Sequence, residues 1–337
     1  MSLKRIADLM LPRLDAELQH QIGRADSART HGMHEMLTYH MGWLGAAVPQ
    51  ASSGKRIRPL VLLLAYASLR QDWPLALPAA AGIEIVHNFS LVHDDIQDNS
   101  PTRRGRPALW ARDGIAMAIN AGDALFTIAH LAMLDVQKSF GADLATKSAA
   151  ILQRACLDLT RGQYLDLAFQ HLRGLSVEDY WPMIEGKTAA LLAAGAQIGA
   201  LLASGDDASA DRFRDFARLL GLAFQVQDDI LGIWGDEVLT GKSAASDLVE
   251  GKCSLPVIYG LARAPQFAER WFSAPVEPDE VPALAEQLKV AGAYDYATQE
   301  CARLTREALA GLDAAKPKGE AGAAVVELAH QLLARTQ

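Results

Sequence analysis

Long hydrophobic runs are missing from this sequence, although half of its residues are hydrophobic. No stretch of eighteen apolar residues is uninterrupted, and a helix needs about twenty to cross a membrane. The best candidate, AALLAAGAQIGALLA at 189–203, is short, rich in alanine and interrupted by Gln197. The N-terminal segment MSLKRIADLMLPRLDAELQ carries charges at helical spacing and lacks the apolar block of a secretion signal. We therefore predict no membrane span and no secretion signal.

Cysteine is also scarce: the chain has three, Cys156, Cys253 and Cys301, widely spaced and without a CxxC pair. This number and spacing argue against a disulfide framework and a cysteine-rich metal site. Reduced thiols of this kind fit the cytoplasm, which we predict as the location. The net charge of −8 argues against nucleic acid as a partner, because its phosphates would be repelled.

Alternating period-two runs are hard to find, so the sequence predicts essentially no β-sheet. Apolar residues instead recur at spacings of three and four, as in IRPLVLLLAYASL and IAMAINAGDALFTIAHLAML. The segments between such stretches are brief, and none has the bias of an interdomain linker. We predict an all-α fold in which residues 1–337 form one domain, a large antiparallel bundle of about ten or more helices.

The stretch HDDIQDNSPTRRGRP at 93–107 concentrates three aspartates and three arginines. Asp94 and Asp98 are four residues apart and so share one face of a helix, while Asp95 points away. Two carboxylates at that spacing offer oxygen ligands suited to Mg²⁺. An ordinary acid cluster at a helix end is the simpler explanation, but acids there oppose the helix dipole. The unfavourable placement favours a metal site.

A second acidic pair, Asp228 and Asp229, ends the apolar helix predicted over GLAFQVQDDILG. Two helices that both end in paired aspartates suggest facing walls of one cavity, with metal between them. The second motif is incomplete, because the residue four positions beyond Asp228 is Gly232. We expect Asp228 to bind the metal mostly alone, with Asp229 helping through water or hydrogen bonds.

Basic residues supply the positive charge that a diphosphate needs. The segment SSGKRIRP at 52–59 puts three cations in a loop that begins with glycine at a predicted helix N-terminus, an arrangement suited to phosphate. Each cation alone is more simply a solvated surface charge, but that does not explain their grouping around two acidic helix ends. No P-loop or GxGxxG motif follows a predicted strand, which argues against a nucleotide site of either kind. The candidates are Lys55, Arg56, Arg58, Arg103, Arg104, Arg106, Lys187 with Thr188, Lys242 and Lys252.

With these residues assembled, the chain resembles the trans-isoprenyl diphosphate synthases, the polyprenyl synthetase family, and in particular its short-chain geranylgeranyl and farnesyl diphosphate synthases. The resemblance covers nearly the full length. Each motif is weak alone, and the ordered set is very specific. In chain order the motifs are GKRIRP, IEIVHNFSLVHDDIQD, TRRGRPALW, INAGDALF, GQYLDL, GKTAALL, FQVQDDILGIWGD, TGK, SDL and GKCSLP.

The resemblance implies an isoprenoid synthase fold around a central cavity, a homodimer, and Mg²⁺ as cofactor, about three ions per active site. It implies that isopentenyl diphosphate elongates an allylic diphosphate (dimethylallyl, geranyl or farnesyl). The metal ligands implied by position are Asp94, Asp98 and Asp228. The implied catalytic set is Asp94, Asp95, Asp98, Lys187, Thr188, Gln225, Asp228 and Asp229. The implied isopentenyl diphosphate pocket is Lys55, Arg58, His87 and Arg104. The implied allylic side is Arg103, Lys187, Thr188, Gln225, Lys242 and Lys252.

Two positions depart from the family pattern. The family often has glycine at the position of Ser53 and aspartate at the position of Gly232. We expect the second departure to weaken one metal–water contact without abolishing catalysis. On the same reasoning, Gly232→Asp should change activity little.

The expected chemistry suits these residues. A C–O bond to diphosphate breaks heterolytically, so metal and cations must neutralise the leaving group. The allylic cation needs apolar walls and a few dipoles, such as the Gln225 amide and the Thr188 hydroxyl. Proton loss to the departing diphosphate requires no protein base. His87 is therefore expected to donate to phosphate, although a lone histidine on an apolar helix is usually a core residue.

Product length should depend on the helix that carries Asp94. The prenyl tail is expected to run toward the N-terminus of that helix, so Ser90 and Phe89 lie roughly 6–7.5 Å along it. Ser90 is small and only Phe89 can block the tail, which favours geranylgeranyl over farnesyl diphosphate. In the alternative explanation Phe89 packs between helices and another element forms the floor of the cavity.

Other functions stay open at this point. A farnesyl diphosphate synthase differs only in product. A class I terpene cyclase or a head-to-head condensing enzyme also uses aspartate-rich helices and Mg²⁺. Such enzymes either have no pocket for a second diphosphate or form that pocket in a different way. A non-catalytic partner subunit typically loses an aspartate motif, whereas both leading pairs are present here.

Overall fold

The computed structural model describes residues 2–44, 54, 56–170, 172–235 and 246–333. These residues are almost wholly helical, which confirms the all-α prediction. The α-helices are α1 (Leu3–Ile22), α2 (His31–His40), α3 (Ile57–Ala67), α4 (Leu77–Gln97), α5 (Leu109–Asp113), α6 (Ile115–Asp135), α7 (Gln137–Phe169), α8 (Val177–Ile184), α9 (Ala190–Ser204), α10 (Asp207–Trp234), α11 (Ser246–Val249), α12 (Leu255–Arg263), α13 (Pro265–Trp271), α14 (Val281–Val290), α15 (Ala293–Ala315) and α16 (Gly319–Leu333).

Among the described residues, three short helical turns are of other kinds. Gly23–Ala25 and Trp73–Ala76 are 3₁₀ turns, and Glu185–Ala189 is a π-helical turn between α8 and α9. Lys187 and Thr188 lie on this π-helical turn, directly before α9. Such π-turns are rare and often occur at functional sites.

A two-stranded hairpin is a small exception to the prediction of no sheet. Strands β1 (Thr102–Arg103) and β2 (Arg106–Pro107) pair antiparallel, with Arg103 opposite Arg106. Arg104 and Gly105 form the turn with φ of 53° and 74°, since a tight hairpin turn matching the strand twist needs positive φ at both central positions. With two residues each, the strands are too short for a period-two pattern to predict them.

The chain divides into two compact units. The first contains Met1–Gln153, Ala194–Asp211 and Pro317–Val325. The second contains Arg154–Ala193, Arg212–Lys316 and Val326–Gln337. That residues 1–337 form one domain stays a prediction.

In the first unit, α4 packs along α6 in the antiparallel direction. Gly82 near the start of α4 lies against the carbonyl of Ala129, and Phe89 lies against Phe126. His93, near the end of α4, lies against Gly122, where a Cβ would come within 2.3 Å of its ring. Glycine at 122 therefore lets the helices approach where the acidic motif begins.

In the second unit, the C-terminal half of α10 is buried on its apolar side. Val226 and Ile230 of α10 lie in one hydrophobic cluster with Tyr180 of α8, Ile258 of α12 and Leu304 of α15. This packing fixes the helix that carries the second acidic pair.

Three helical stretches are long and apolar enough to cross a membrane by length and composition: Trp73–Gln97, Ile115–Asp135 and Val177–Ser204. Their most apolar windows are 67%, 39% and 78% buried within the protein, respectively. The absence of a membrane span accordingly stays a prediction.

Candidate active site

The first acidic motif lies at the C-terminal end of α4. The helix ends at Gln97 and Asp98 is its C-cap, with the Asp98 N–H donating to the Asp94 carbonyl at 2.8 Å. Asp94 and Asp98 are therefore one helical turn apart, as their spacing predicts. Asp94 is half-buried and Asp98 is exposed.

Asp95 has a different environment from its neighbours. It is 1% exposed, and Arg103 of the hairpin donates through Nε to both carboxylate oxygens at 2.9 and 2.8 Å. A further Arg103 nitrogen lies 2.7 Å from the same carboxylate. Asp95 thus anchors the basic hairpin to the acidic helix end, and both of its oxygens are engaged by protein.

The hairpin and the loop before α3 bring two basic motifs together. Gly54 has a φ of 78°, and a Cβ there would lie 2.9 Å from the guanidinium of Arg104. The positive φ favours glycine here, and a side chain at 54 would displace the Arg104 guanidinium. The motifs GKRIRP and TRRGRP are therefore adjacent in space, as two parts of one anion site would be.

Arg58, in the first turn of α3, lies beside His87 of α4. An Arg58 nitrogen is 3.3 Å from His87 Nε2. Burial and the nearby cations Arg58 and Arg104 lower the pKa of His87 well below its usual value, so the ring is neutral. Because arginine can only donate, Nε2 of His87 accepts and holds Arg58 in position, which leaves Nδ1–H as the donor of the ring.

Arg56 does not belong to the expected phosphate-binding loop. It is 5% exposed, stands in the left-handed conformation with φ of 48°, and donates to Glu84 Oε1 at 2.7 Å. Its Nε lies 3.6 Å from Asp15 Oδ1. The sequence prediction for Arg56 is corrected: its charge is neutralised by buried Glu84.

Two residues near the basic hairpin had no signal in the sequence. Tyr39 and His40 of α2 line a small pocket with Arg103, Arg104 and Arg106. Burial and the cations Arg104 and Arg103 lower the pKa of His40 to about 3. No motif surrounds either residue, so only the packing of α2 could reveal them.

The hairpin stacks on Tyr39. The guanidinium groups of Arg106 and Arg112 lie over its ring at 3.9 and 4.1 Å from the centroid. The Tyr39 hydroxyl donates to the carbonyl of Pro107 at 3.0 Å. Arg106 is therefore a support of the hairpin rather than a further anion-binding group.

In the second unit, Asp229 is buried and surrounded by hydrogen-bond donors. Tyr180 donates its hydroxyl to Oδ2 at 2.7 Å, and the Leu255 N–H donates to the same oxygen at 2.9 Å. Gln225 Nε2 donates to Oδ1 at 2.8 Å. Burial raises the pKa of Asp229 to about 7, against the opposing effect of these donors.

Asp229 in turn orients the residues expected on the allylic side. The amide nitrogen of Gln225 is held by its hydrogen bond to Asp229. The amide oxygen of Gln225, Oε1, accepts a hydrogen bond from the Thr188 hydroxyl at 2.6 Å. The hydrogen-bond network Tyr180–Asp229–Gln225–Thr188 therefore orients the Gln225 amide and the Thr188 hydroxyl, the two dipoles expected near the allylic cation. Asp228 beside it is half-buried.

Lys187 lies on the π-turn and pairs with Asp166 of the GQYLDL motif, Nζ to Oδ2 at 2.5 Å. Two glycines let the chain segments meet there. A Cβ on Gly162 would lie 2.1 Å from the Lys187 nitrogen, and one on Gly186 would lie 2.3 Å from the Asp158 carbonyl. The π-turn thus sits against the backbone of α7.

Lys252, in GKCSLP, pairs with Glu250 at 2.5 Å and with Asp247 at 3.5 Å. Burial lowers its pKa, but these carboxylates outweigh the burial and raise it above the ordinary lysine value. Lys252 therefore keeps its charge. The other predicted lysines, Lys55 and Lys242, lie outside the described residues, as does Ser53.

The two residues expected to control product length lie on α4 as predicted. Ser90 is 8% exposed, and its hydroxyl donates to the His87 carbonyl at 2.9 Å, within the same helix. The Phe89 ring lies 4.9 Å from those of His93 and Phe126, centroid to centroid. Phe126, which the sequence prediction did not include, continues this aromatic row to His130 at 4.3 Å.

The donor set of the acidic motifs fits a hard divalent cation. Carboxylate oxygens are the ligands that Mg²⁺ prefers, and it usually retains several waters beside one or two carboxylates. Arg103 donates to the Asp95 carboxylate, and Tyr180 and the Leu255 N–H donate to that of Asp229. The family resemblance implies that Asp94, Asp98 and Asp228 would hold the metal.

Comparison with known proteins gives consistent matches. A family model described as polyprenyl synthetase matches residues 43–287. A (2E,6E)-farnesyl diphosphate synthase of Mycobacterium tuberculosis is 38% identical over 290 residues, covering 83% of this chain and 79% of the relative. A geranylgeranyl diphosphate synthase of the same organism is 36% identical over 300 residues, covering 87% and 85%.

A solved structure shares the fold over nearly its whole length. The polyprenyl synthase from Caulobacter crescentus, complexed with calcium and isoprenyl diphosphate, superposes with a TM-score of 0.83 at 30% identity. The match covers 99% of this chain and 97% of that one.

Proposed function

The chain belongs to the polyprenyl synthetase family, and from this premise we propose that it condenses isopentenyl diphosphate with dimethylallyl, geranyl or farnesyl diphosphate to give geranylgeranyl diphosphate. It is a transferase of the trans-prenyltransferase type. The observation that carries the proposal is the clamp of Arg103 on Asp95, which joins the basic hairpin to the acidic end of α4.

As the resemblance implies, the residues that would hold Mg²⁺ through carboxylate oxygens are Asp94, Asp98 and Asp228. When bound, the metal neutralises the negative charge that grows on the leaving diphosphate.

Arg58, Arg104 and His87 would bind isopentenyl diphosphate. The support is their geometry: His87 holds Arg58, and Gly54 makes room for Arg104. The neutral His87 ring would add a hydrogen bond without a charge. Lys55, which follows Gly54 directly, would complete this group.

The allylic diphosphate would be bound by four cationic residues: Arg103, Lys187, Lys252 and Lys242. When the diphosphate departs, an allylic cation remains, and Thr188 and Gln225 would face it. The supporting fact is that Asp229 fixes Gln225, which fixes Thr188, so both dipoles are preset before ionisation. Preset dipoles stabilise a developing charge without reorganising. A cation at this point would be stabilised by the oxygen atoms of both side chains.

The last step is loss of a proton from the condensed intermediate. We propose that the departing diphosphate accepts it, since His87 already accepts from Arg58. The carboxylates of Asp95 and Asp229 are likewise occupied by protein donors. No protein base is then required.

The product length rests on α4. Ser90 is small and turned toward its own helix, so Phe89 alone would limit the tail, which favours geranylgeranyl diphosphate. A farnesyl diphosphate product is the second candidate, because Phe126 and His93 hold the Phe89 ring in place as a fixed barrier. Relatives of both kinds match at 38% and 36% identity.

One assay separates these functions from the remaining alternatives. The purified chain is incubated with Mg²⁺, labelled isopentenyl diphosphate and each of the three allylic primers, and the dephosphorylated products are separated by chromatography. Incorporation of label with all three primers, ending at twenty carbons, supports the proposal. Incorporation that stops at fifteen carbons supports the farnesyl alternative. Hydrocarbon formed without label indicates a cyclase, and no product at all indicates a partner subunit.

We also propose that the chain forms a homodimer and acts in the cytoplasm. Large apolar side chains of α6 are exposed, among them Ile115 at 53% and Leu134 at 54%. Exposed apolar residues on one element suggest a surface covered by another molecule, and a second copy is the partner that the family resemblance implies. Cys156, Cys253 and Cys301 are buried free thiols, in keeping with a reducing compartment.

A further inference from the structure

Asp247, in the SDL motif, fills the space beside Gly232 where the second acidic motif lacks a carboxylate. A Cβ built on Gly232 would lie 2.0 Å from Asp247 Oδ2 and 2.5 Å from its Cγ. No side chain fits at 232 unless that carboxylate moves. This opposes the expectation that Gly232→Asp would change activity little.

The position of the Asp247 carboxylate corresponds to that of an aspartate at 232. In an aspartate, Cγ lies about 1.5 Å from Cβ, the length of a carbon–carbon single bond. The Cγ of Asp247 lies 2.5 Å from the Cβ position of residue 232, and its oxygens lie 2.0 and 3.1 Å away. The group that the family carries at 232 is thus present at nearly the same point, but it comes from a residue fifteen positions later in the chain.

The helix places this carboxylate near the metal-binding aspartate. Gly232 follows Asp228 by four residues on α10, so the two share a face and are about 6 Å apart along the axis. The carboxylates of Asp228 and Asp247 therefore flank the same helical turn.

Asp247 is held in this position by its own surroundings. It is 7% exposed, and Lys252 Nζ lies 3.5 Å from Oδ1, the oxygen farther from Gly232. The Lys252 N–H also donates to the Asp247 carbonyl at 3.0 Å, across a turn in which Gly251 has a φ of 68°. The motif GKCSLP thus fixes the SDL aspartate.

We propose that Asp247 supplies the carboxylate that Gly232 lacks and binds the divalent cation together with Asp228. This inference rests on the proposed function. It assigns to the SDL motif the role of the carboxylate that is missing at the last position of the second acidic motif, DDxxG. Lys252 is then both an anchor of Asp247 and a cation beside the same metal site.

The test measures metal binding rather than turnover. Mn²⁺ serves as the probe in place of Mg²⁺, and its affinity for the full-length protein is measured by electron paramagnetic resonance with inorganic diphosphate present. Asp247→Asn removes the charge and keeps the shape, and should weaken Mn²⁺ binding by about tenfold to a hundredfold. The matched control is Glu250→Gln, which removes the other carboxylate that pairs with Lys252 and should leave the affinity unchanged.

An exchange of the two positions gives the sharper result. Gly232→Asp alone should disturb binding, because two carboxylates compete for one place. The double variant Gly232→Asp/Asp247→Gly restores one carboxylate and should recover Mn²⁺ affinity to within about threefold of wild type, well inside the effect of losing such a group.

Three results would overturn the inference. They are wild-type affinity in Asp247→Asn, the same loss in Glu250→Gln, and no recovery in a double variant whose circular dichroism matches wild type. If Asp247→Asn does not fold, the double variant decides alone. Failure of the proposed function is recognised separately, since the wild-type chain would then form no elongated product while its Mn²⁺ affinity still depended on Asp247.

Discussion

The Nε–H of Arg103 donates to both carboxylate oxygens of Asp95, at 2.9 and 2.8 Å. The middle aspartate of the first acidic motif is therefore a link between helix and hairpin. Its flanking residues Asp94 and Asp98 are half-buried and exposed, respectively. Three aspartates within five residues thus have different environments, and we propose two different tasks for them.

The first prediction distinguishes these tasks. Asp94→Ala should raise the activation free energy by about 3–4 kcal/mol and so lower kcat by orders of magnitude. The fold should survive. Asp95→Asn should instead lower the free energy of unfolding by about 1–3 kcal/mol, because Arg103 loses a charged acceptor. Steady-state kinetics at saturating Mg²⁺ and urea unfolding measure the two effects. More than a tenth of wild-type turnover in Asp94→Ala would contradict the metal assignment.

A second prediction separates the two diphosphates. Arg58→Ala should raise the KM for isopentenyl diphosphate by roughly tenfold to a hundredfold, the value of a hydrogen bond to a charged group. Lys55→Ala should act in the same direction, and Lys187→Ala should chiefly raise the KM for the allylic substrate. Arg29→Ala, at an exposed arginine, is the control for loss of charge. Equal effects of all three variants on both KM values would argue against two pockets.

The third prediction concerns product length. Phe89→Ala should lengthen the product, since it removes the one large side chain among the two gating positions, and Ser90→Phe should shorten it toward farnesyl diphosphate. Because Phe126 lies 4.9 Å from Phe89, the double variant Phe89→Ala/Phe126→Ala should lengthen it further. Phe140→Ala, a half-buried phenylalanine that packs on Tyr66, is the matched control. Chromatography of dephosphorylated products measures all four. Unchanged products in Phe89→Ala and Ser90→Phe would place the floor of the cavity elsewhere.

A fourth prediction tests how Asp229 acts. Tyr180→Phe removes one donor from the buried carboxylate and should lower kcat about tenfold with the allylic substrate, because Gln225 and Thr188 lose their fixed orientation. Tyr66→Phe removes a hydroxyl that donates to Asp72 at 2.8 Å and should leave kcat unchanged. Stopped-flow single-turnover rates compare the two variants. A structural role alone would lower the melting temperature of Tyr180→Phe without slowing the chemical step.

The fifth prediction concerns assembly. The wild-type chain should have twice its mass of 36.3 kDa in solution, and Leu134→Glu on α6 should shift it toward the monomer. Val290→Glu, at a residue 79% exposed on α14, should have no effect. Light scattering after size-exclusion chromatography gives the mass directly. A monomeric wild type, or a dimer unchanged by Leu134→Glu, would leave the α6 surface without its proposed partner.

The sequence by itself determined the fold class and the order of the motifs. Helical periodicity is a local property, since residues three and four apart share a face wherever the helix lies. The same rule put Asp94 and Asp98 one turn apart, and the structure has them so. The family resemblance also rests on local segments, and it was sufficient to identify the candidate metal ligands.

Only the tertiary structure decided which partner each charged group has. Arg56 appeared in the sequence as part of a phosphate-binding loop, yet it pairs with Glu84, 28 residues away. Asp229 receives its hydroxyl donor from Tyr180, 49 residues away. Gly232 has no side chain, and the Asp247 carboxylate occupies the space where its Cβ would lie. Such contacts arise where distant segments pack together, and because no short-range pattern fixes which segments meet, the sequence could propose the charges but not their pairing.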